Sequence, residues 1–379
     1  MLPRRIHPDK SISASASGGR RPLERRASFV YAWAMPRFGA HLSVAEFRPA
    51  AKGRACSRAG RDGREPVVTG PAAAIHRARQ LKCDCVQLFL RPNRQWRAPK
   101  LSDTEIAAFR AAVAQPVRRR KAAEWGPGGK VARWTTSTET IHPVVSHASY
   151  LINIGGPPGR RPTGGSAGRE WPTRDVRARS IRALKDELRR AVLLGVPYVV
   201  LHPGGHMGDG EQAGLRRVVE ALDEVIDPHR DDPVQVLLET TAGQGTSLGH
   251  RLEHLAFILD HAACGDRLAV CADTCHMFAA GYDFRNKVGY EATLSEIDRT
   301  VGLERLAVWH LNDCLKPLGC RVDRHAHIGR GEIGREAFRL LVSDSRFADL
   351  PMILETPKED DAGRQMDPVN LRLLRRLAV

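Results

Sequence analysis

Histidines and carboxylates stand at the ends of apolar segments along this 379-residue chain. Strand-like runs such as VQVLLE and LAVWH stop on Glu239 and His310, and only the run CVQLFL at 85–90 ends without such a residue. The other runs end at His41, His147, His202, Asp273 and Glu355. Imidazole and carboxylate groups are the common ligands of divalent cations. The pattern therefore predicts a metal site built from strand ends.

Two short motifs add further ligands. In Asp273-Thr274-Cys275-His276, a strand-end acid is followed three residues later by a histidine that we place in the turn. In Asp323-Arg324-His325, the outer residues of an extended segment project to the same side and can chelate one cation together. Either pair alone is more often a surface hydrogen bond. Together with the strand ends, however, nine candidate ligands converge on one face: His147, His202, Glu239, Asp273, His276, His310, Asp323, His325 and Glu355.

The number and type of these ligands indicate a polynuclear site. A catalytic zinc takes about three protein ligands and keeps one position open, so nine ligands imply two or three ions. Imidazoles and carboxylates without a thiolate favour Zn²⁺, with Mn²⁺ or Fe²⁺ as rivals. Three divalent cations would outweigh the four carboxylates of the set, and the site would attract an anion such as a phosphodiester. Metal-assisted hydrolysis of that bond is the reaction we expect.

Eight strand-then-helix units are needed to position these residues. Strands are expected at 38–43, 85–90, 144–148, 198–202, 234–239, 268–273, 306–310 and 351–355. Helices are expected near 72–82, 102–115, 179–194, 212–226, 250–263, 289–301, 335–343 and 370–378. Eight such units predict an α/β fold, a (β/α)8 TIM barrel with its chemistry at the C-terminal mouth. An open doubly wound sheet is the alternative, but the loop after Ser43 lacks the glycine-rich phosphate turn of that fold.

The net charge of +16 lies entirely in four stretches, 1–36, 47–70, 116–136 and 157–176. These stretches are rich in Arg, Gly, Pro and Ser and lack strand or helix periodicity. They predict a disordered basic tail or transit segment at 1–36 and three loop insertions in a single TIM-barrel domain at 37–379. The charge is therefore weak evidence for a nucleic-acid partner. The first and third insertions follow strands on the active face, whereas 116–136 lies on the opposite face.

No apolar stretch approaches the ~20 residues that a bilayer helix needs, and eight cysteines are too sparse for a disulfide scaffold. We expect an intracellular monomer, cytoplasmic if bacterial, nuclear or organellar if the tail is a targeting segment.

Several motifs closely resemble endonuclease IV, the family-2 apurinic/apyrimidinic endonucleases. The resemblance covers 38–46, 70–115, 140–156 and 177–357. It rests on Gly39-Ala40-His41, Asn93-Arg94-Gln95-Trp96-Arg97, His147-x-x-Tyr150-Leu151-x-Asn153, His202-Pro203-Gly204, Glu239-Thr240-x-Ala242-Gly243-Gln244-Gly245, Asp273-Thr274-Cys275-His276, His310-Leu311-Asn312-Asp313 and Arg321-Val322-Asp323-Arg324-His325.

The resemblance implies a trinuclear zinc barrel that cleaves double-stranded DNA 5′ to abasic sites, leaving a 3′-hydroxyl and a 5′-deoxyribose phosphate. It also implies removal of blocking groups from 3′ ends, with Glu239 and Glu355 in catalytic positions. It divides the ligands into three sets. The first ion would be held by His147, His202 and Glu239. Glu239 would also bridge to the second ion, which Asp273, His310 and Glu355 would hold. The third ion would be held by His276, Asp323 and His325.

Arg94 and the pair Tyr150-Leu151 match positions with which the family penetrates the duplex, although ordinary loop packing is the competing interpretation. An abasic site has already lost stacking, so a side chain can fill the gap at reduced cost. His41 matches no ligand position, and we expect it to support a ligand. The chain departs from the family at Cys314-Leu315, where a small residue and a lysine are usual, and at Cys320.

Two other functions fit parts of the pattern. A sugar isomerase or epimerase on a similar barrel would use one or two ions, and Asp323 and His325 would then be surplus. Alternatively, the insertions could obstruct the site and leave a barrel that binds nucleic acid without cleaving it.

Overall fold

The computed structural model of the chain describes residues 36–47, 67–125, 131–159, 175–226 and 233–378. Eight parallel strands close into a barrel in which each strand pairs with the next and the last pairs with the first. They are β1 (Arg37–His41), β2 (Cys85–Leu88), β3 (Val144–His147), β4 (Tyr198–Leu201), β5 (Gln235–Glu239), β6 (Leu268–Asp273), β7 (Leu306–His310) and β8 (Pro351–Leu354). The predicted (β/α)8 TIM barrel is confirmed.

Helices surround the barrel at the places where the sequence predicts them, with one addition. They are α1 (Pro71–Gln80), α2 (Asp103–Ala114), α3 (Val176–Leu194), α4 (Glu211–Val225), α5 (Leu252–His261), α6 (Thr274–Ala280), α7 (Lys287–Thr300), α8 (Arg335–Val342) and α9 (Asp367–Leu377). Their ends follow local signals. Helix α2 begins with a reciprocal capping box between Ser102 and Glu105, and α3 ends at Gly195 in the left-handed conformation.

Two apolar layers hold the barrel, because successive side chains of a strand point to opposite faces. One face packs against the helices, as Val236 and Leu238 of β5 do. The other fills the barrel interior with Cys85, Val145, Val200, Leu237, Ala269, Cys271, Val308 and Ile353. Strand β1 contributes Gly39 at the same level, where a Cβ atom would lie 2.3 Å from the carbonyl oxygen of Cys85. Only glycine allows β1 and β2 to approach this closely.

A β-hairpin stands between α2 and β3, where the sequence predicts an irregular insertion. Val117–Trp125 pairs antiparallel with Val131–Glu139 in a two-stranded sheet of its own. The prediction of an irregular segment at 116–136 is wrong for this backbone. A ribbon outside the barrel needs no buried face, so the apolar alternation that identifies a strand is not required of it.

The predicted tail and most of the insertions at 47–70 and 157–176 lie outside the described residues, and those domain predictions stay predictions. Phe47 and Val68 pair across the first insertion. Within the described ranges, no helix has both the length and the apolar character that crossing a membrane requires.

Candidate metal centre

Six of the predicted ligands stand on one rim of the barrel because of the two-residue period of its strands. A residue two positions after an interior apolar residue also faces inward. Val145 is followed in this way by His147, and Leu237 by Glu239. The same step leads from Val200 to His202, from Cys271 to Asp273, from Val308 to His310 and from Ile353 to Glu355. The polar rim therefore lies one layer above the apolar interior.

Glu239 is the centre of this rim and is completely buried. Its Oε2 lies 3.0 Å from His147 Nε2 and 2.9 Å from His202 Nε2. Its Oε1 lies 2.9 Å from His310 Nδ1. Burial opposes ionisation, but the neighbouring His202 and His310 hold the pKa of Glu239 well below its usual range. The carboxylate is thus placed to serve two groups of ligands at once.

His310 joins Glu239 to the two other buried carboxylates of the rim. Its Nδ1 lies 3.2 Å from Glu355 Oε2 and 3.8 Å from Asp273 Oδ2. The Asn312 amide donates to Asp273 Oδ2 at 2.6 Å. Burial disfavours the charged form of Glu355, yet His310 keeps the pKa of this carboxyl well below its usual range. These contacts bring Asp273, His310, Glu355 and Glu239 together.

Asp323 forms a third group with two histidines. Its Oδ2 lies 3.2 Å from His276 Nε2 and its Oδ1 lies 3.1 Å from His325 Nε2. Burial favours a neutral ring at His325, but the adjacent Asp323 raises the pKa of His325 to about 9. The three residues come from α6 and from the loop after β7, so the group depends on the meeting of two chain segments.

The position of His276 corrects one sequence-based expectation. The sequence predicts a turn after Asp273, but the segment forms the short helix α6. The Asp273 side chain caps this helix by accepting from the backbone N–H of His276 at 2.9 Å. An aspartate before Thr274 is itself a capping signal. The seven residues of α6 are too few to show a helical period in the sequence.

The histidine tautomers provide a test of whether this donor set fits metal ions. In three of the histidines, the Nδ1 atom faces a backbone carbonyl oxygen, which can accept a hydrogen bond but cannot donate one. The distances are 2.8 Å from His147 Nδ1 to the oxygen of Ala148, 2.9 Å from His276 Nδ1 to that of Thr240, and 3.2 Å from His325 Nδ1 to that of Glu355. These nitrogens therefore carry the protons. In the neutral rings the inner lone pairs then face carboxylates, an arrangement that a cation between them stabilises. The residues fit divalent ions.

Gln87 is a residue of the rim that the sequence-based assignment missed. Its Nε2 donates to Glu355 Oε1 at 2.6 Å, and its Oε1 accepts from His310 Nε2 at 2.8 Å. It follows Cys85 by the same two-residue step and is completely buried. The signal was a polar residue inside the apolar run CVQLFL. The run was treated as an exception because it ends in an apolar residue, but β2 already ends at Leu88.

His41 lies against the rim without belonging to one of the three groups. Its Nδ1 is 3.1 Å from Glu355 Oε1 and 2.9 Å from Gln87 Nε2. Burial lowers the pKa of His41. The ring is therefore placed to orient Glu355, and its supporting role stays a prediction.

The groove above the rim has a volume of about 430 Å³. His147, His202, His276 and Asp323 line its floor, and Tyr150 stands at its side. A groove with open access to several ligands can admit part of a polymer.

The profile of the family described as xylose isomerase-like TIM barrel matches residues 137–376. The probable endonuclease 4 of Chloroflexus aggregans is 44% identical over 343 residues, which cover 90% of this chain and 98% of that protein. The corresponding protein of Geobacter sulfurreducens is 43% identical over 81% of this chain and 91% of its own length. The chain belongs to the endonuclease IV family. It is therefore an enzyme, a hydrolase of the endonuclease class.

Solved structures agree with this membership in the endonuclease IV family. Endonuclease IV from Thermus thermophilus is 34% identical, with a TM-score of 0.62 over 90% of this chain and 98% of that chain. A D-tagatose 3-epimerase-like protein has a TM-score of 0.55 but only 15% identity, which shows a shared barrel fold alone.

The loops after β2 and β3, which carry Arg94 and the pair Tyr150-Leu151, lie side by side. The Ser149 hydroxyl donates to the carbonyl of Asn93 at 2.9 Å and so joins them. Arg94 is exposed, Tyr150 is 53% exposed and Leu151 is partly buried. Trp96 packs against the core.

The departure from the endonuclease IV pattern at Cys314 lies below the surface of the site. Cys314 is buried, and its thiol is hydrogen-bonded with that of Cys275. Leu315 is 56% exposed and is followed by the exposed Lys316.

Glu211, His250 and His254 form another cluster of possible ligands beside the groove. The Glu211 carboxylate lies 3.2 Å from His254 Nε2 and 3.6 Å from His250 Nε2. The backbone N–H of Gly249 donates to His254 Nδ1 at 3.2 Å, so the proton of the neutral ring is on Nε2. That nitrogen has no free lone pair for a metal ion. The cluster is better explained as a contact between the start of α4 and the start of α5.

Proposed function

We propose that the chain is a metal-dependent DNA repair endonuclease that hydrolyses the phosphodiester 5′ to an abasic site and leaves a 3′-hydroxyl and a 5′-deoxyribose phosphate. The observation that carries the proposal is the meeting of the nine candidate ligands at one mouth of the barrel, six of them on the rim and three on α6 and the loop after β7. The same hydrolysis applied to a terminal group would remove blocking groups from 3′ ends, as a phosphodiesterase or a phosphatase does.

The proposed cofactors are three Zn²⁺ ions, with Mn²⁺ or Fe²⁺ possible at one or more positions. The three groups of contacts support the division into three sets. One set is His147, His202 and Glu239, a second is Glu239, Asp273, His310 and Glu355, and the third is His276, Asp323 and His325. Each set combines imidazole and carboxylate ligands, which suits these metals.

Bound divalent ions would polarise the phosphoryl group and lower the pKa of an attacking water. The residues of the chain set up that chemistry. Glu239 directs its two oxygens to different histidines, so it can bridge two sets. Glu355 shares His310 with Glu239 and is oriented by Gln87. We assign catalytic roles to Glu239 and Glu355 for these reasons.

The proposed partner is double-stranded DNA that contains an abasic site or a blocked 3′ end. Arg94, Tyr150 and Leu151 would enter the duplex where the missing base has removed stacking. Their neighbouring loops, exposed beside the groove, support this role. A monomeric state and an intracellular compartment stay predictions.

Cleavage of an end-labelled abasic duplex, together with metal analysis by plasma emission, tests the proposal. Wild type should hold about three ions per chain. Glu239→Ala should lose two of the three, because it belongs to two sets, and should lower the nicking rate by on the order of 10³. Asp323→Asn should lose only the ion of the third set, which His276, Asp323 and His325 form. Glu211→Ala provides a matched control, since this glutamate belongs to the neighbouring histidine cluster and should leave metal content intact.

Each alternative function predicts a different result. Full metal content and binding without any nick would support a non-cleaving nucleic-acid-binding barrel. One ion per chain with conversion of a ketose would support a sugar isomerase or epimerase. Either result would overturn the endonuclease proposal.

A further inference from the structure

Helix α3 carries a buried polar network at the point where the loops after β2 and β3 meet. Glu187 is completely buried, and Arg190 and Arg91 are only 3% and 7% exposed. Asp186 of the same helix accepts hydrogen bonds from both arginines. Burying such groups is costly, and apolar packing would hold a helix against a sheet at lower cost. The network therefore needs an explanation other than attachment of α3.

The network holds both ends of the loop that carries Arg94. The Arg190 guanidinium donates to the carbonyls of Leu90, at 3.2 Å, and Pro99. The Arg91 guanidinium donates to the carbonyl of Trp96 at 2.8 Å. Both arginines are themselves fixed by Asp186. The tip of the loop, with Arg94, is thus held in place by two largely buried arginines.

The same helix holds the loop after β3. The carboxyl of Glu187 accepts from the backbone N–H of Ser149 at 3.3 Å and lies 3.9 Å from Arg91 Nε. The Ser149 hydroxyl accepts from the N–H of Leu151 at 3.3 Å and donates to the carbonyl of Asn93. Glu187 therefore stands between the two loops, in contact with the residue that precedes Tyr150.

We propose that Glu187 and its neighbours on α3 position the two loops relative to each other, so that Arg94 and the pair Tyr150-Leu151 enter an abasic duplex as one unit. Glu187 is a positioning residue for lesion recognition. The inference rests on the proposed function. Loss of Glu187 should weaken binding of the damaged site and leave the chemical step unchanged. The reason is that the network holds the loops through their backbone groups and, among the described residues, donates no hydrogen bond to a ligand of the rim.

Steady-state and single-turnover cleavage of an abasic duplex provides the test. Glu187→Ala removes the acceptor for Ser149 and should raise KM for the abasic duplex by about tenfold, with kcat changed by less than about threefold. Glu187→Gln keeps an acceptor of the same shape and should restore KM to near the wild-type value. Lys185→Ala is the control on the same helix, because among the described residues Lys185 pairs only with Glu224, on the exposed side.

A double-mutant cycle with Arg94→Ala distinguishes positioning from general destabilisation. If Glu187 acts through the loops, its removal should matter less once Arg94 is gone, so the two KM effects should not multiply. Independent effects, or an unchanged KM in Glu187→Ala with full metal content, would overturn the inference. Absence of nicking by wild type would instead count against the proposed function itself.

Ser149→Ala is the second variant in case Glu187→Ala does not fold. It removes the hydroxyl that links the two loops but leaves no buried carboxyl without a partner. We expect Ser149→Ala to raise KM by about fivefold, and to raise it by less when Arg94 has already been replaced by alanine. Wild-type KM in a folded Ser149→Ala protein and in Glu187→Gln, together with an unfolded Glu187→Ala, would show a purely structural network and would reject the inference.

Discussion

Gln87 takes, on β2, the inward position that the proposed metal ligands take on six other strands. A neutral amide can donate and accept at the same time, so it can hold a carboxylate and an imidazole together. It donates to Glu355 and accepts from the outer nitrogen of His310, which turns His310 Nδ1 toward Glu239. Its role is therefore to orient ligands.

Gln87→Leu should weaken metal binding while preserving the barrel. Loss of an outer partner of a metal-binding histidine typically costs 10–100-fold in affinity, and we expect a loss of about that size here. Competition of the protein with a fluorescent zinc chelator measures it. Gln80→Leu at the exposed end of α1 is the matched control. Equal zinc affinity in the wild-type and Gln87→Leu proteins would contradict this role.

Helix α3 shows how a buried acid makes stability depend on pH. Burial raises the pKa of Glu187 from 4.5 to about 8, although Arg91 opposes the shift. Between these two values the folded protein binds a proton that the unfolded chain releases. Stability from this group is therefore greatest at low pH and falls as pH rises toward 8, by about 1.4 kcal/mol for each pH unit.

Glu187→Gln removes this titration. The free energy of unfolding of Glu187→Gln minus that of wild type should increase steadily from about pH 5 to about pH 8 and then remain constant. Urea denaturation over this range measures the difference, in which titrations common to both proteins cancel. A difference that does not vary with pH would show that Glu187 is ionised throughout.

The hairpin between α2 and β3 is expected to be dispensable for activity. It enters the barrel at the amino end of β3, whereas the rim lies at the carboxyl ends. Val117 pairs with Glu139, so two glycines can replace residues 118–138 without moving the flanking elements. The kcat/KM for abasic DNA should stay within about twofold of wild type. A larger loss at full metal content would place the hairpin in contact with DNA.

At the scale of the whole barrel, the rim concentrates three largely buried carboxylates. Glu239 and Asp273 are completely buried, and Glu355 is nearly so. Cations that bind only the folded protein add to its stability in proportion to their occupancy. The metal centre should therefore stabilise the closed barrel as well as supply its chemistry.

Metal removal should lower the melting temperature. An ion present at 100 times its Kd contributes about 2.7 kcal/mol, which corresponds to a shift of roughly 5 °C for a domain of this size. Thermal unfolding after chelation, and again after addition of zinc, measures the change. Chelation should lower the melting temperature of Asp323→Asn by less than that of wild type, because this variant binds one ion fewer before chelation. Identical melting curves with and without chelator would contradict a stabilising metal centre.

The amino-acid sequence by itself determined the barrel, eight strand positions and the nine candidate ligands. These features depend on local periodicity: a strand alternates its faces every two residues, and the carboxyl ends of parallel strands meet at one rim. The short helix α6 and the hairpin escaped prediction because neither shows a regular apolar period.

Only the tertiary structure decided which candidate ligands contact one another and which residues orient them. It also decided which residues hold the loops after β2 and β3. Gln87 and His310 are 223 residues apart in the sequence, and Arg190 and Leu90 are 100 residues apart. Their side chains look unremarkable in their own segments, a glutamine in an apolar strand and an arginine on a charged helix. Their roles arise from partners that closure of the barrel brings within hydrogen-bonding distance, and no local pattern records such partners.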